Sequence, residues 1–164
     1  MNQTTIEKVL PNKLVVIRTF DAPLGQVWKA WTEKELLEKW WAPKPWKAKS
    51  KEMDFTEGGN WLYAMVGPDG TEHWCRADYE KIEPLRSFSL QDTFCDENGK
   101  PNNIAPSMHW NIVFNEEGSK TKVKAEIQFA SEADLEKIVE MGFKEGFTAA
   151  HGNLDELLQK EVTA

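Results

Sequence analysis

Residues 120–160 read KTKVKAEIQFASEADLEKIVEMGFKEGFTAAHGNLDELLQK, and the spacing of their apolar side chains changes at Ser131. Before it, Val123, Ala125, Ile127 and Phe129 alternate with Lys122, Lys124, Glu126 and Gln128. That two-residue period marks a strand with one buried and one wet face. After it, Leu135, Ile138, Met141, Phe143, Phe147, Leu154 and Leu158 recur at helical spacing to about Lys160. Ser131 and Asp134 form a capping box, and Glu132, Asp134 and Glu136 make the first turn acidic, complementing the helix dipole. Some thirty residues at 1.5 Å each predict a helix on the order of 45 Å long, enough to cross a whole sheet.

Upstream, the two-residue period recurs in short runs at about 46–55, 60–66, 72–83, 86–95 and 106–115. They are joined by Glu57-Gly58-Gly59-Asn60, Gly67-Pro68-Asp69-Gly70, Glu83-Pro84-Leu85-Arg86 and Glu97-Asn98-Gly99, with Glu116-Glu117-Gly118 leading into the 120–130 run. Connections this short favour antiparallel neighbours, because a parallel crossover takes a dozen residues or more. Residues 13–20 (KLVVIRTF) predict one further strand, giving seven. Pro23 opens a helix carrying Val27, Trp28 and Trp31. Thr32 and Glu35 read as a capping box for a second short helix with Leu36, Leu37, Trp40 and Trp41, stopped by Pro43. No repeat, linker or low-complexity tract divides the chain, so residues 1–164 predict a single domain with an ordered core over about 13–160. The expected class is α+β: a seven-stranded antiparallel sheet wrapped around a long C-terminal helix, with two short helices after the first strand. Any space between helix and sheet becomes a cavity.

Composition narrows the function. Lys+Arg is 20 against Asp+Glu 27, a net charge of −7, which opposes binding to nucleic acid or an anionic membrane surface. No run approaches about 18 apolar residues and no signal peptide is evident, so a reduced, cytoplasmic protein without membrane insertion is expected. Cys75 and Cys95 then read as buried free thiols. His73-x-Cys75 is the only pair with metal-ligand character, and with three His and two Cys in all no metal site is expected. Nucleophile-elbow, phosphate-loop and dinucleotide-binding signatures are missing, so neither a cofactor nor a set of catalytic residues is assigned. The surplus is in tryptophan: 8 in 164 residues, beside 8 Phe and 2 Tyr.

Alternation sorts these residues by face. Trp61, Tyr63 and Met65 share one side of their run, as do Phe88, Leu90, Asp92 and Phe94, and Met108, Trp110, Ile112 and Phe114. Cys75, Ala77 and Tyr79 are taken as inward, leaving Trp74 outside. Gly142 and Gly146, four apart in the predicted helix, either pack it closely on the sheet or leave room for a ligand. Asp92 is a carboxylate on an apolar face: it reaches solvent near the strand end, or it anchors something polar in a pocket. His151 is a satisfied core histidine or a second anchor. Arg18 forms a structural ion pair or lines the space. Lys44, Lys47, Lys49 and Lys51 read as a solvated strand edge or a patch for an acidic partner.

Several short motifs in fixed order resemble one family. Arg18-x-Phe20-x-Ala22-Pro23 running into Val27-Trp28, Trp40-Trp41-Ala42-Pro43, Gly58-Gly59-Asn60-Trp61 and Asp69-Gly70 are similar to the heat-shock protein 90 ATPase activator homologue 1-like family. Leu90-x-Asp92-x-Phe94-x-Asp96-Glu97-x-Gly99, Met141-Gly142-Phe143-x-Glu145-Gly146-Phe147 and Leu154-Asp155-x-Leu157-Leu158 extend the match over roughly 13–160. The resemblance implies the START/SRPBCC superfamily and its helix-grip, birch-pollen-allergen-like fold. Superfamily members hold apolar ligands such as lipids, sterols, polyketides or aromatic metabolites between sheet and long helix, and some use the cavity for cyclase chemistry. The eukaryotic co-chaperone is similar to this chain only in its C-terminal domain, and its N-terminal chaperone-binding domain has no counterpart before Lys13.

The leading expectation is therefore non-catalytic binding of a small lipidic or aromatic molecule. Its pocket would comprise Trp41, Trp61, Tyr63, Met65, Asp92, Phe94, Trp110, Phe143, Phe147 and His151, with at least three tryptophans around one concave space. The alternatives are a polyketide-cyclase-type enzyme using Asp92 or His151 as acid/base, and a protein-interaction or co-chaperone-like module.

Overall fold

The computed structural model describes residues 4–102 and 105–163, with side chains to Lys160. In chain order the elements are β1 (Thr5–Leu10), β2 (Lys13–Phe20), α1 (Leu24–Thr32), α2 (Lys34–Trp40), β3 (Lys47–Met53), β4 (Asn60–Val66), β5 (Glu72–Glu83), β6 (Ser87–Cys95), β7 (Met108–Glu117), β8 (Lys120–Gln128), α3 (Glu132–Glu140) and α4 (Phe143–Thr163). The strands form one sheet in the order β1-β2-β8-β7-β6-β5-β4-β3, each neighbouring pair antiparallel. This is the helix-grip architecture, and the meander from β3 to β8 runs as the turn spacing implied. Residues 1–3, 103–104 and 164, which the 1–164 domain includes, lie outside the described residues.

The sheet has eight strands rather than seven, and the two short helices follow the second strand rather than the first. The added strand is β1, so ordered structure begins at Thr5 rather than near Lys13. Its burial is slight on both faces, and only Ile6 packs against the core. No alternation could reveal it. Backbone pairing with β2 holds it, and Lys8 Nζ reaches Glu132 on α3 at 2.6 Å. At the opposite edge β3 carries Lys47, Lys49 and Lys51, charges that discourage further strand pairing. Lys49 pairs with Glu72 and Lys51 donates to the Glu97 carbonyl.

The helical stretch after Ser131 is two helices, not one. Ser131 caps α3 as expected, its hydroxyl accepting from the Asp134 amide at 3.2 Å. α3 then stops at Glu140, and Gly142 takes φ +94°, a left-handed conformation that side-chain-bearing residues resist. Gly142 and Gly146 therefore do not share a helical stripe: Gly142 is the corner and Gly146 lies inside α4. Met141, expected on the apolar face, is exposed at this corner. The second capping box is also absent. Thr32 spends its hydroxyl on the Trp28 carbonyl at 2.8 Å, and Glu33 precedes α2 without a side-chain cap.

One core joins the inward sheet face to the helices. Leu14, Val16, Ile112, Ala125 and Ile127 come from the strands, Val27, Trp31, Leu37 and Trp40 from α1 and α2, and Leu135, Ile138, Leu154 and Leu158 from α3 and α4. Cys75, Ala77 and Tyr79 face this core and Trp74 does not. Arg18, nearly buried, forms an ion pair with Asp155 of α4.

Candidate functional site

Between α4, the segment after α2 and strands β4–β7 lies a cavity of about 200 Å³. Trp41 and Pro43 follow α2; Tyr63 and Met65 come from β4, His73 and Cys75 from β5, Asp92 and Phe94 from β6, and Met108 and Trp110 from β7. Phe143, Gly146 and Phe147 of α4 close it. A chamber of about 20 Å³ adjoins it, and Trp41, Tyr63, Asp92 and Trp110 border both. Trp31, Trp61, Ala77, Tyr79, Phe88 and Leu90 are among the remaining walls of the chamber.

Register explains the convergence. Tyr63 pairs with Cys75 and Met65 with His73; Cys75 in turn pairs with Phe94, Ala77 with Asp92, and Asp92 with Met108. Alternation sends this block toward α4. The aromatic wall is continuous. The Trp61 and Tyr63 rings stack with centroids 3.9 Å apart, and Trp41 lies 5.9 Å from each of Trp61, Trp110 and Phe147. Trp41 Nε1 donates to the Tyr63 hydroxyl at 3.2 Å, and Trp61 Nε1 to Ser50 Oγ at 2.9 Å, which fixes both indoles.

Of the ten residues expected at a pocket, Trp41, Tyr63, Met65, Asp92, Phe94, Trp110, Phe143 and Phe147 line the larger cavity. Trp61 borders only the smaller chamber, backing Tyr63. His151 lines neither. It lies one helical turn beyond Phe147, at ring centroids 4.2 Å from Phe147 and 6.2 Å from Trp31, where those side chains fill the space. Four tryptophans border the chamber, two of them shared with the larger cavity. Trp40 is wholly buried and donates to the Ala30 carbonyl, so it is a packing residue rather than a wall. Trp46 stacks on His73, 5.5 Å between centroids. Pro43 and His73 were missed as lining residues, Cys75 and Met108 were placed inward but not at the pocket, and Gly146 was weighed only as a place where a missing side chain leaves room. A proline that ends a helix and a glycine inside one carry no pattern that marks a wall.

The electrostatics of the cavity are set by burial. Asp92 is 7% exposed between apolar neighbours. Burial, with the Asp78 carboxylate adding to it, raises its pKa to about 7, against a small opposing pull from the Thr93 amide. Among the described residues its Oδ1 has no hydrogen-bond partner, and neither has Trp110 Nε1. Burial and then Asp92 push the Tyr63 hydroxyl and the Cys75 thiol well above their ordinary values, so both stay protonated near neutral pH. Cys75 is therefore no thiolate nucleophile. Among the described residues no group of three or more His, Cys, Asp or Glu is placed to hold a metal ion.

His151 belongs to a different cluster. Arg18 Nη1 donates to Thr4 Oγ1 at 2.8 Å, and the same hydroxyl shares a hydrogen bond with His151 Nδ1, also 2.8 Å away. Burial, with the Arg18 charge behind it, lowers the His151 pKa to about 3, and the ring is neutral.

The comparisons agree with this architecture. A solution structure from Arthrobacter aurescens is 30% identical, with a TM-score of 0.89 over 95% of this chain and 91% of that one. A crystal structure from Mycobacterium smegmatis is 29% identical, TM-score 0.86, over 94% and 96%. A third, from Staphylococcus epidermidis, is 29% identical, TM-score 0.84, over 96% and 94%. No curated protein matches the chain at a significant level. No helix among the described residues is long and apolar enough to cross a membrane. The family model described as Activator of Hsp90 ATPase homolog 1-like protein matches residues 21–159, and with the helix-grip sheet around α4 this places the chain in that family.

Proposed function

We propose that this protein binds a small, largely apolar molecule of one or two rings, or a chain of similar bulk, in the cavity between β4–β7 and α4. The observation that carries the reading is a space of about 200 Å³ walled by Trp41, Tyr63, Met65, Phe94, Trp110, Phe143 and Phe147, with one buried carboxyl, Asp92. A dry cavity of about 150 Å³ holds benzene, whereas pockets for drug-sized ligands start near 300 Å³. That scale favours a compact aromatic over a sterol or a long acyl chain. Asp92 serves as the polar anchor. His151 is dropped from the ligand set and kept as a core residue.

Titration of the labelled protein with a library of one- and two-ring aromatics and short lipids, followed by amide shifts, tests this. Saturable shifts centred on Trp41, Tyr63, Trp110 and Phe147 support it; no saturable shifts from any member sink it. Gly146→Leu supplies the control. A Cβ at Gly146 meets only Pro43, at 3.8 Å, so a longer side chain is accommodated there and occupies the cavity. The expected outcome is a folded variant that binds at least tenfold more weakly.

A second reading, acid/base catalysis of the polyketide-cyclase type, draws on Asp92 alone. A carboxyl held near 7 in a largely apolar wall suits proton transfer. Mass analysis of bound library members after long incubation separates the two. Unchanged ligands support binding, while conversion that Asp92→Asn abolishes supports catalysis.

A further inference from the structure

Two side chains that border both cavities carry buried polar atoms with no partner among the described residues: the Asp92 carboxyl at Oδ1 and the Trp110 indole at Nε1. They are 7% and 2% exposed. Buried polar groups left in this state are rare and costly. The register makes them neighbours: Leu90 pairs with Trp110 and Asp92 with Met108, so Asp92 and Trp110 are diagonal on one face of β6 and β7. Diagonal pairs sit about 7–8 Å apart at the backbone, within reach of long side chains.

The two groups need different things. An indole N–H only donates, so its partner must offer a lone pair. An Asp oxygen accepts, and when protonated the carboxyl also donates. A hydrocarbon satisfies neither group, and a ligand ammonium offers Trp110 nothing. A ligand carboxylate meets no lysine or arginine among the lining residues and would lie against the Asp92 carboxyl. A cis-amide edge meets both needs: its carbonyl accepts from Trp110 and its N–H donates to Asp92. The match survives protonation, because a carbonyl oxygen has a second lone pair for an Asp92 O–H.

We propose that the cavity selects flat, uncharged rings bearing a lactam or equivalent cis-amide edge, with Asp92 and Trp110 as the paired readers of that edge. This rests on the cavity being a ligand site, and it adds the chemical class of the ligand.

Calorimetric titration of the full chain with 2-quinolone, and with naphthalene as the two-ring hydrocarbon of similar shape, tests the idea. Sites built around a hydrogen bond discriminate strongly against analogues that leave their polar groups unpaired. The expected result is 2-quinolone binding about tenfold or more tighter, with the Trp110 indole N–H resonance moving downfield for 2-quinolone only. In Trp110→Phe and Asp92→Leu the ratio of the two affinities falls toward one. The indole shift needs no variant, so a misfolded mutant does not block the test. Naphthalene binding as tightly as 2-quinolone overturns the lactam proposal while leaving the cavity reading intact, and points to water in the adjoining chamber as the partner of Asp92 and Trp110. Failure of both probes overturns the lactam proposal, and the cavity reading falls with it only when no library member gives saturable shifts at Trp41, Tyr63, Trp110 and Phe147.

Discussion

Asp92 and His151 are buried titratable groups pushed in opposite directions, which gives them opposing roles in acid stability. Asp92 rises from 3.8 to about 7 on folding, so the native state holds an extra proton between those values and this group's contribution weakens as pH rises through them. His151 falls from 6.5 to about 3, so the unfolded chain binds the extra proton there and stability is lost as pH falls through that range. Between about pH 4 and 6.5 the two oppose each other, each by a few kcal/mol at about 1.4 kcal/mol per pKa unit. Thermal melts across this window check the prediction. Asp92→Asn leaves the His151 term, and its melting temperature climbs with pH; His151→Asn leaves the Asp92 term, and its melting temperature falls. Asp92 was legible in the sequence because a carboxylate among Phe88, Leu90 and Phe94 breaks an apolar face. The side on which His151 would find its neighbours was not legible, because that depends on Trp31 and Phe147 filling the space around it.

At the scale of elements, the boundary between α3 and α4 was the main departure from the sequence pattern. The five-residue step from Ile138 to Phe143 carries the apolar stripe about 140° round a continuous helix, a break in phase that the density of apolar residues masks. The positive φ at Gly142 is what turns the chain. Gly142 and Gly146 should therefore respond oppositely to alanine. Gly142→Ala forces a side chain into left-handed backbone and is expected to cost about 1–2 kcal/mol. Gly146→Ala sits in ordinary helix with open room and is expected to gain up to about 1 kcal/mol. Urea unfolding of the two variants reads both signs. Strands β5 to β8 were legible because each alternates a buried with a wetter face, and β2 and β4 because each is a short apolar run bounded by turn residues; β1 was not, since it owes its place to backbone pairing rather than to burial.

The molecule as a whole is held across its width by contacts that no local pattern contains. Thr4 meets His151, Arg18 meets Asp155, and Lys8 meets Glu132, all between the first strands and the last helices. The cavity is a product of the same long-range geometry. Its walls Tyr63, Met65, Asp92, Phe94 and Trp110 were legible from strand alternation, but its modest volume was not, because volume is a difference between large packed surfaces. Among its walls Trp41 has one further consequence. Its ring lies 6.0 Å from Trp31, 5.3 Å from Trp40 and 5.9 Å from both Trp61 and Trp110. At such separations electronic excitation passes between indoles far faster than they emit. Light absorbed by any of the five is shared, and whatever touches Trp41 drains or retunes the glow of them all. The protein thus carries its own optical gauge of occupancy: an aromatic guest is expected to dim its ultraviolet emission, and in Trp41→Phe the Trp31–Trp40 pair, 4.8 Å apart, should stay coupled while Trp61 and Trp110 lose their link to it through Trp41.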